Sequence, residues 1–245
     1  MSFELVYQYL VSQSFISGAW MTLSITVVSL FFGVIVGLII ALLQGLKFAP
    51  VNWLTLIYLW LFRGTPVLFQ IIFIYNVLPT FGIRLSAFLS AVIALSLNEG
   101  AYMAEIIRSG LQAVRKGQRT AGLALGMTRG KVMRYIVLPQ AARIVLPPMG
   151  NQTIGMLKTS ALVSVIAVEE LLLVANQTAS ADFRYFEALT AAGIYYLALT
   201  SVFMVGQYLM ERSLEPKKRR GAAPRSLMSR LAGKANPKPV AEEGP

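Results

Sequence analysis

The chain has 245 residues, 56% hydrophobic and only 13% charged, about half the roughly 25% charge fraction of a soluble domain. Its 22 Lys and Arg outnumber 11 Asp and Glu for a formal charge of +11, and it has no Cys and no His. Disulfides, thiolate chemistry, most zinc sites and every mechanism that needs imidazole are thereby excluded. The bases cluster between Arg108 and Arg143 and after Met210. That pattern points to membrane orientation and not to nucleic acid, since no basic face alternates with aromatics on a soluble domain.

In chain order, residues 1–18 read as a short amphipathic segment at the membrane interface, carrying Phe3, Leu5, Val6, Tyr7, Tyr9 and Leu10. Glu4 precedes any base, and no Lys or Arg occurs before Lys47. The segment therefore lacks a signal peptide's positive n-region, and the first apolar stretch is expected to stay in the mature protein. A spanning helix needs about 20 apolar residues, and residues 19–214 supply five candidates, at about 20–43, 52–78, 86–107, 140–163 and 186–210. Gly33 and Gly37 in the first have the spacing that permits close helix contact, or are simply tolerated. The second is interrupted by Arg63-Gly64-Thr65-Pro66, and the third holds Asn98, Glu99 and Glu105. A polar loop at 112–139 follows. The fourth is expected to break at Pro147-Pro148, with Ser164 to Tyr185 a semi-polar connection before the fifth. The 215–245 tail, with Lys217-Lys-Arg-Arg220, is expected to be a disordered cytoplasmic segment near anionic lipid.

With five spans the ends lie on opposite sides. Placing the N-terminus outside puts Lys47, the polar loop and the tail inside and leaves only Arg84 and Arg184 outside, so the positive-inside rule selects N-out, C-in. The fold class is all-α, a polytopic membrane protein.

In the loop, Gly117 and Gly126 are expected to end helices, with a short helix from Thr120 to Leu125 between them. Thr128 caps a second helix running to Val137, and Pro139 marks the return to the membrane. Ala121, Leu123 and Leu125, rimmed by Arg119, Arg129 and Lys131, suit a cleft in a partner. The same pattern also suits a helix resting on lipid headgroups.

Polar residues inside a membrane are costly and mark function. Asn98, Tyr102 and Glu105 share a helical face, and Glu99 borders it. A solute with both charges that crosses the bilayer needs a partner for each. Glu99 suits an ammonium group, and the unwound backbone near Gly64-Thr65-Pro66 suits a carboxylate. Thr65, Gln70, Asn98, Glu99 and Tyr102 form the candidate substrate set. Glu105 and Arg108 are expected to pair structurally, Arg63 to anchor its helix, Lys158 to snorkel, and Tyr195 and Tyr196 to pack. Glu169 and Glu170 suit either a gate or a contact with an external protein. The run Gly126-Met-Thr-Arg-Gly130-Lys131-Val132 is no phosphate loop, being one residue short and lacking the final Ser or Thr. No catalytic or metal site is expected.

The loop resembles the "EAA" loop of ABC importer permeases, which reads Glu-Ala-Ala, three residues, Gly, nine residues, Ile-x-Leu-Pro. Here stand Thr120-Ala121-Gly122, then Gly126, then Ile136-Val-Leu-Pro139. The first Glu and second Ala are absent. Phe62-Arg-Gly-Thr-Pro66, Gly100-Ala-Tyr-Met-Ala-Glu-Ile-Ile-Arg108 and Leu157-Lys-Thr-Ser-Ala-Leu-Val-Ser-Val-Ile166 resemble the permeases of histidine/glutamine/glutamate-type uptake systems. The resemblance covers about residues 18–214. Thr159 stands where that family often has Asp or Asn, and carries no role over.

The resemblance implies a coupling helix, with Arg119, Thr120, Ala121, Gly122, Leu123, Gly126 and Met127 facing an ATPase subunit. It implies ATP and Mg on that partner and none on this chain. It further implies a second permease subunit, identical or homologous, an extracytoplasmic binding protein, a polar amino-acid substrate and the bacterial inner membrane. A proton-coupled secondary transporter using Glu99 or Glu105, and a scaffold that moves nothing, are the alternatives that charge and hydropathy alone leave open.

Overall fold

The computed structural model describes residues 2–46 and 48–214. Lys47 and the 215–245 tail, both used in orienting the chain, lie outside the described residues. All regular structure within them is helical.

Helix α1 (Phe3–Val11) is capped by Ser2 and followed at once by α2 (Gln13–Gln44), capped by Ser12. At 1.5 Å per residue the 32 residues of α2 extend about 48 Å, more than a hydrocarbon core requires. Helices α3 (Ala49–Gly64) and α4 (Val67–Val77) come next, with a 3-10 turn at Leu78–Phe81. The α3 axis and the α4-plus-turn axis meet at 105°. Pro66 has no N–H, and its ring drives Thr65 out of the helical region, to φ −112° and ψ 147°.

Helix α5 (Ala87–Ala113) is central and packs on α2, α3, α4 and α8 (Leu138–Thr159). Its contact with α2 runs on small residues. Gly33 lies against Glu99, Gly37 against Met103 and Ala104, and Gly100 against Val36 and Tyr58. Both glycines of the 33/37 pair thus face a neighbouring helix, which decides between the two readings of that spacing.

Several expectations are corrected. Helix α8 runs unbroken through Pro147 and Pro148. Two adjacent prolines free neighbouring carbonyls at one place, and packing on α5 and α10 (Tyr185–Leu214) holds the helix on either side. Ser164 to Tyr185 is not a loose connection. It comprises a 3-10 turn at Ser160–Ile166 and helix α9 (Leu171–Asp182), each closed by a left-handed residue, Ala167 and Phe183. By length and apolarity α2, α5 and α10 qualify as spans, with the bent α3–α4 pair as a fourth. The predicted 140–163 span is not among them, because α8 carries Gln140, Arg143, Asn151, Gln152 and Lys158.

Helix α1 is clasped to α9 and α10. Ser2 N–H donates to Glu187 (3.1 Å), Tyr195 hydroxyl to Leu10 carbonyl (2.5 Å), and Tyr9 hydroxyl to Asp182 (2.7 Å). The Asp182 carboxylate pushes the Tyr9 phenol up to about 12.

Gly37 tests the α2–α5 contact. A Cβ there would meet Met103 Cβ and the Ala104 amide nitrogen within 3 Å, and backbone cannot rotate away. Gly37→Val is expected to cost about 1–3 kcal/mol, read as a lower unfolding temperature in detergent. Gly155→Ala, which meets nothing within 4 Å, is the matched control and should show no comparable loss.

Candidate functional site

Breaking a helix inside a membrane strands backbone carbonyls, and each needs a donor. At the α3–α4 break, Gln70 Nε2 donates toward Phe62 carbonyl (2.9 Å), Thr65 carbonyl (3.1 Å) and Thr65 Oγ1 (2.9 Å). Asn98 Nδ2, reaching across from α5, donates to Phe62 carbonyl (2.9 Å) and Gln70 Oε1 (3.0 Å). Thr65 hydroxyl closes the set on Leu61 carbonyl (2.8 Å). Three of the candidate substrate residues, Thr65, Gln70 and Asn98, are therefore brought together, and they satisfy one another. Gln70 and Asn98 are each only 6% exposed.

Glu99 points elsewhere. It is 2% exposed and lies against Gly33, with Oε2 accepting from Gln152 Nε2 of α8 at 3.2 Å. Its Oε1 has no partner among the described residues. Gln152 had no role in the sequence reading; a polar residue on a membrane-depth helix was the available signal.

Tyr102 lies under the Arg63 guanidinium, 5.6 Å from ring centre to Cζ. Arg63 forms an ion pair with Glu105. The expected Glu105–Arg108 pair is thus replaced, because the 105° bend carries α3 over α5 and presents a guanidinium from outside the helix. Arg63, Glu105, Arg108, Gln44, Trp60 and Gly64 line an open cavity of about 410 Å³. It offers charges of both signs, which is what a zwitterion requires: a guanidinium fork for a carboxylate and a carboxylate for an ammonium group.

The polar loop has its own small core. Helix α6 (Lys116–Ala124) ends at Gly126, whose φ of +78° is left-handed. Gly117 sits inside the first turn of α6 and does not end a helix, because α6 begins at Lys116. Thr128 caps α7 (Arg129–Val132) through the Lys131 amide, at 3.4 Å. A π-turn at Met133–Val137 joins α7 directly to α8, so Pro139 lies within the first turn of α8 and marks no break.

Val114, Val132, Val137 and Ala141 are buried together, with Met127 and Ile136 packed on them. Gly122 is buried against Ile136 and Val132. Arg119 Nη2 donates to Leu111 carbonyl at 2.6 Å. Of the coupling candidates, Arg119, Gly122 and Met127 therefore bind α6 to its scaffold, while Thr120, Ala121 and Leu123 face outward. Leu125 joins them at 82% exposure.

Glu169 is exposed, and lines a second cavity with Gln13, Ser17, Gln177 and Thr178. Glu170 is fully buried. Its carboxylate caps α9 through Leu172 and Leu173 amides (2.9 and 2.8 Å) and accepts from Tyr196 hydroxyl (2.8 Å) and Thr22 hydroxyl (3.5 Å). Tyr195 and Tyr196 thus make specific polar links beyond packing.

Residues 30–216 match the family described as binding-protein-dependent transport system inner membrane components. The chain belongs to that family. The arginine transport system permease protein ArtQ of Bacillus subtilis is 38% identical over 201 residues, covering 82% of this chain and 92% of the relative. The glutamine transport system permease protein GlnP of Escherichia coli K12 is 38% identical over 202 residues, with the same coverage. The L-cystine transport system permease protein TcyB of Bacillus subtilis is 39% identical over 212 residues, covering 84% and 90%.

A crystal structure of an amino acid ABC transporter with histidines superposes with a TM-score of 0.81 at 41% identity, covering 87% of this permease and all of that chain. The methionine ABC transporter MetNI superposes at 0.72 with 18% identity over 88% of this permease and all of that chain, a likeness of fold. The protein is thus a membrane transport permease and not a catalytic enzyme.

Gln70→Leu removes the donor that holds the break. The stranded carbonyls and Asn98 are then expected to cost about 1–3 kcal/mol. The measurement is thermal unfolding of the purified permease, paired with thiol labelling at Gly64→Cys. Unchanged stability together with unchanged labelling counts against the Gln70 role.

Proposed function

We propose that this permease carries a polar amino acid through the bacterial inner membrane, driven by ATP hydrolysis on separate ATPase subunits. The observation that carries the substrate class is the agreement among relatives. Proteins named for arginine, glutamine and L-cystine transport each share 38–39% identity with more than four fifths of this chain. The cavity of Arg63, Glu105 and Arg108 supports the same reading by its paired charges.

In this proposal the chain crosses five times, N-out and C-in. The bent α3–α4 pair is one crossing and α8 is the fourth, with Gln152 bound to Glu99 of α5 and with Arg143, Asn151 and Lys158 exposed on the single chain. Residues 1–18 lie at the outer interface, 19–214 form the transport domain, and the basic 215–245 stretch follows on the cytoplasmic side. The broad apolar faces of α3 (Trp53, Leu56, Trp60) and α10 (Leu197, Val202, Val205) meet lipid and a second permease subunit. An extracytoplasmic binding protein delivers substrate, with Glu169 on the face it approaches.

Alternating access follows from linkage. ATPase closure favours one arrangement of the helices only through contacts that differ between the two arrangements, and α6 is the element that feels the difference.

Two measurements check this. Gly126 has φ +78°, whereas proline holds φ near −65°. Gly126→Pro is therefore expected to leave membrane insertion intact and abolish ATP-coupled uptake in proteoliposomes holding the ATPase and binding protein. Wild-type uptake by that variant would falsify the coupling role. The chain has no cysteine, so single thiols report sidedness. In intact cells an impermeant maleimide should label Thr80→Cys and spare Gln118→Cys; the reverse pattern overturns N-out.

A further inference from the structure

Between Glu105 and Glu169 the sequence holds no acidic residue, while bases run from Arg108 to Lys158. The coupling loop and the first half of α8 lie in that stretch. The buried positions along α7, the π-turn and the first two turns of α8 are Val132, Val137, Ala141 and Val145, a step of five and then steps of four. The π-turn supplies the extra residue and keeps one stripe facing inward.

Within the turn Ile136 packs over Gly122 of α6. Arg134 and Leu138, two residues to either side, consequently project from the reverse face, away from the outward residues of α6. Tyr135 flanks them, with the Arg134 Cζ 5.7 Å from its ring centre. Tyr135 is 63% exposed and Leu138 48%. Arg143, two turns beyond Tyr135, is exposed as well, and neither arginine has an acidic partner among the described residues.

We propose that this face is a binding site for the headgroup of an anionic phospholipid of the cytoplasmic leaflet. It rests on the topology above, in which α8 enters the bilayer from the cytoplasm. Arg134 sits at the entry point and binds the phosphate. Arg143 lies deeper, and its long stem extends back toward the surface to the same headgroup. Tyr135 and Leu138 cover the glycerol and upper acyl chain, the usual place for an amphipathic ring. Lipid is favoured over a protein groove because the face combines unpaired cations with an aromatic and an aliphatic side chain where a helix enters the membrane. A lipid held there braces the π-turn, the link through which α6 is attached to α8, so coupling becomes sensitive to anionic lipid.

The test uses the full permease–ATPase assembly in nanodiscs of phosphatidylcholine alone or with phosphatidylglycerol. The variant is Arg134→Gln with Arg143→Gln, both on the surface. Native mass spectrometry of the assembly titrated with phosphatidylglycerol should show binding about 30-fold weaker in the variant, at about 1 kcal/mol per cation near an anionic surface. Tyr135→Ala should fall between the two. ATP hydrolysis stimulated by substrate-loaded binding protein should rise with phosphatidylglycerol in the wild type. The variant should match the wild-type rate in phosphatidylcholine and gain nothing from the anionic lipid.

Equal phosphatidylglycerol affinity in variant and wild type overturns the site. Equal loss of hydrolysis in both lipids overturns it too, and assigns the face to the ATPase. An assembly that binds the lipid as expected yet moves no amino acid sinks the transport reading and leaves this site standing.

Discussion

A polypeptide can turn through 105° at membrane depth only where the carbonyls it strands find donors. Gln70 and Asn98 are those donors, and much of the molecule follows from them. Gln70 lies one turn past the break and returns to close it. Asn98 comes from the central helix, so the break is tied to the most buried element of the fold. That tie, together with the Tyr58 hydroxyl donating to Leu97 carbonyl (2.6 Å), lays α3 across α5, where Arg63 meets Glu105.

The tie depends in turn on how closely α2 and α5 approach. Lipid gives little hydrophobic reason for helices to associate, so contact relies on small residues and polar links. Gly33, Gly37 and Gly100 bring the two backbones together. The same approach places Glu99 over Gly33 and next to Gln152, sealing a carboxylate into the subunit core. Glu170 does a comparable task at the other end. One carboxylate joins α2, α9 and α10 by accepting from Thr22, the α9 amides and Tyr196.

Local chemistry made part of this legible in the sequence. Pro66 announced a break, Gly126 a helix end, Thr128 a cap and the Gly33/Gly37 spacing a close contact. Each of these is decided by one residue's own stereochemistry. What escaped was decided by partners distant in sequence. Glu105 has Arg108 three residues away, yet a guanidinium from α3 takes it. The bond between Gln70 and Asn98 was not legible, because pattern alone cannot say that two buried amides serve each other. Ser164 to Tyr185 looks like a connection because its capping residue, Glu170, is a charge whose burial depends on Thr22 and Tyr196. Helix α8 is too polar for a span by composition, and Gln152, its link to Glu99 of α5, finds its reason in a helix distant in sequence.

Two of the polar joints on α3 differ in strength, and the difference bears on movement. Opening the Gln70–Asn98 knot leaves buried carbonyls unpaired, at about 1–3 kcal/mol for each. The Arg63–Glu105 pair is open to its cavity, with side chains 42% and 37% exposed, and such a pair contributes about 1 kcal/mol or less. A load reaching α5 and α8 therefore opens the ion pair before it disturbs the bend. Helix α6 is placed to deliver such a load, since Arg119 fastens it to the end of α5 and Gly122 seats it against Ile136 in the turn leading to α8. The joint that yields first is also the one whose charges match the two ends of an amino acid, so under the proposed transport reading a substrate that replaced either partner would take over a contact able to differ between two arrangements of the helices.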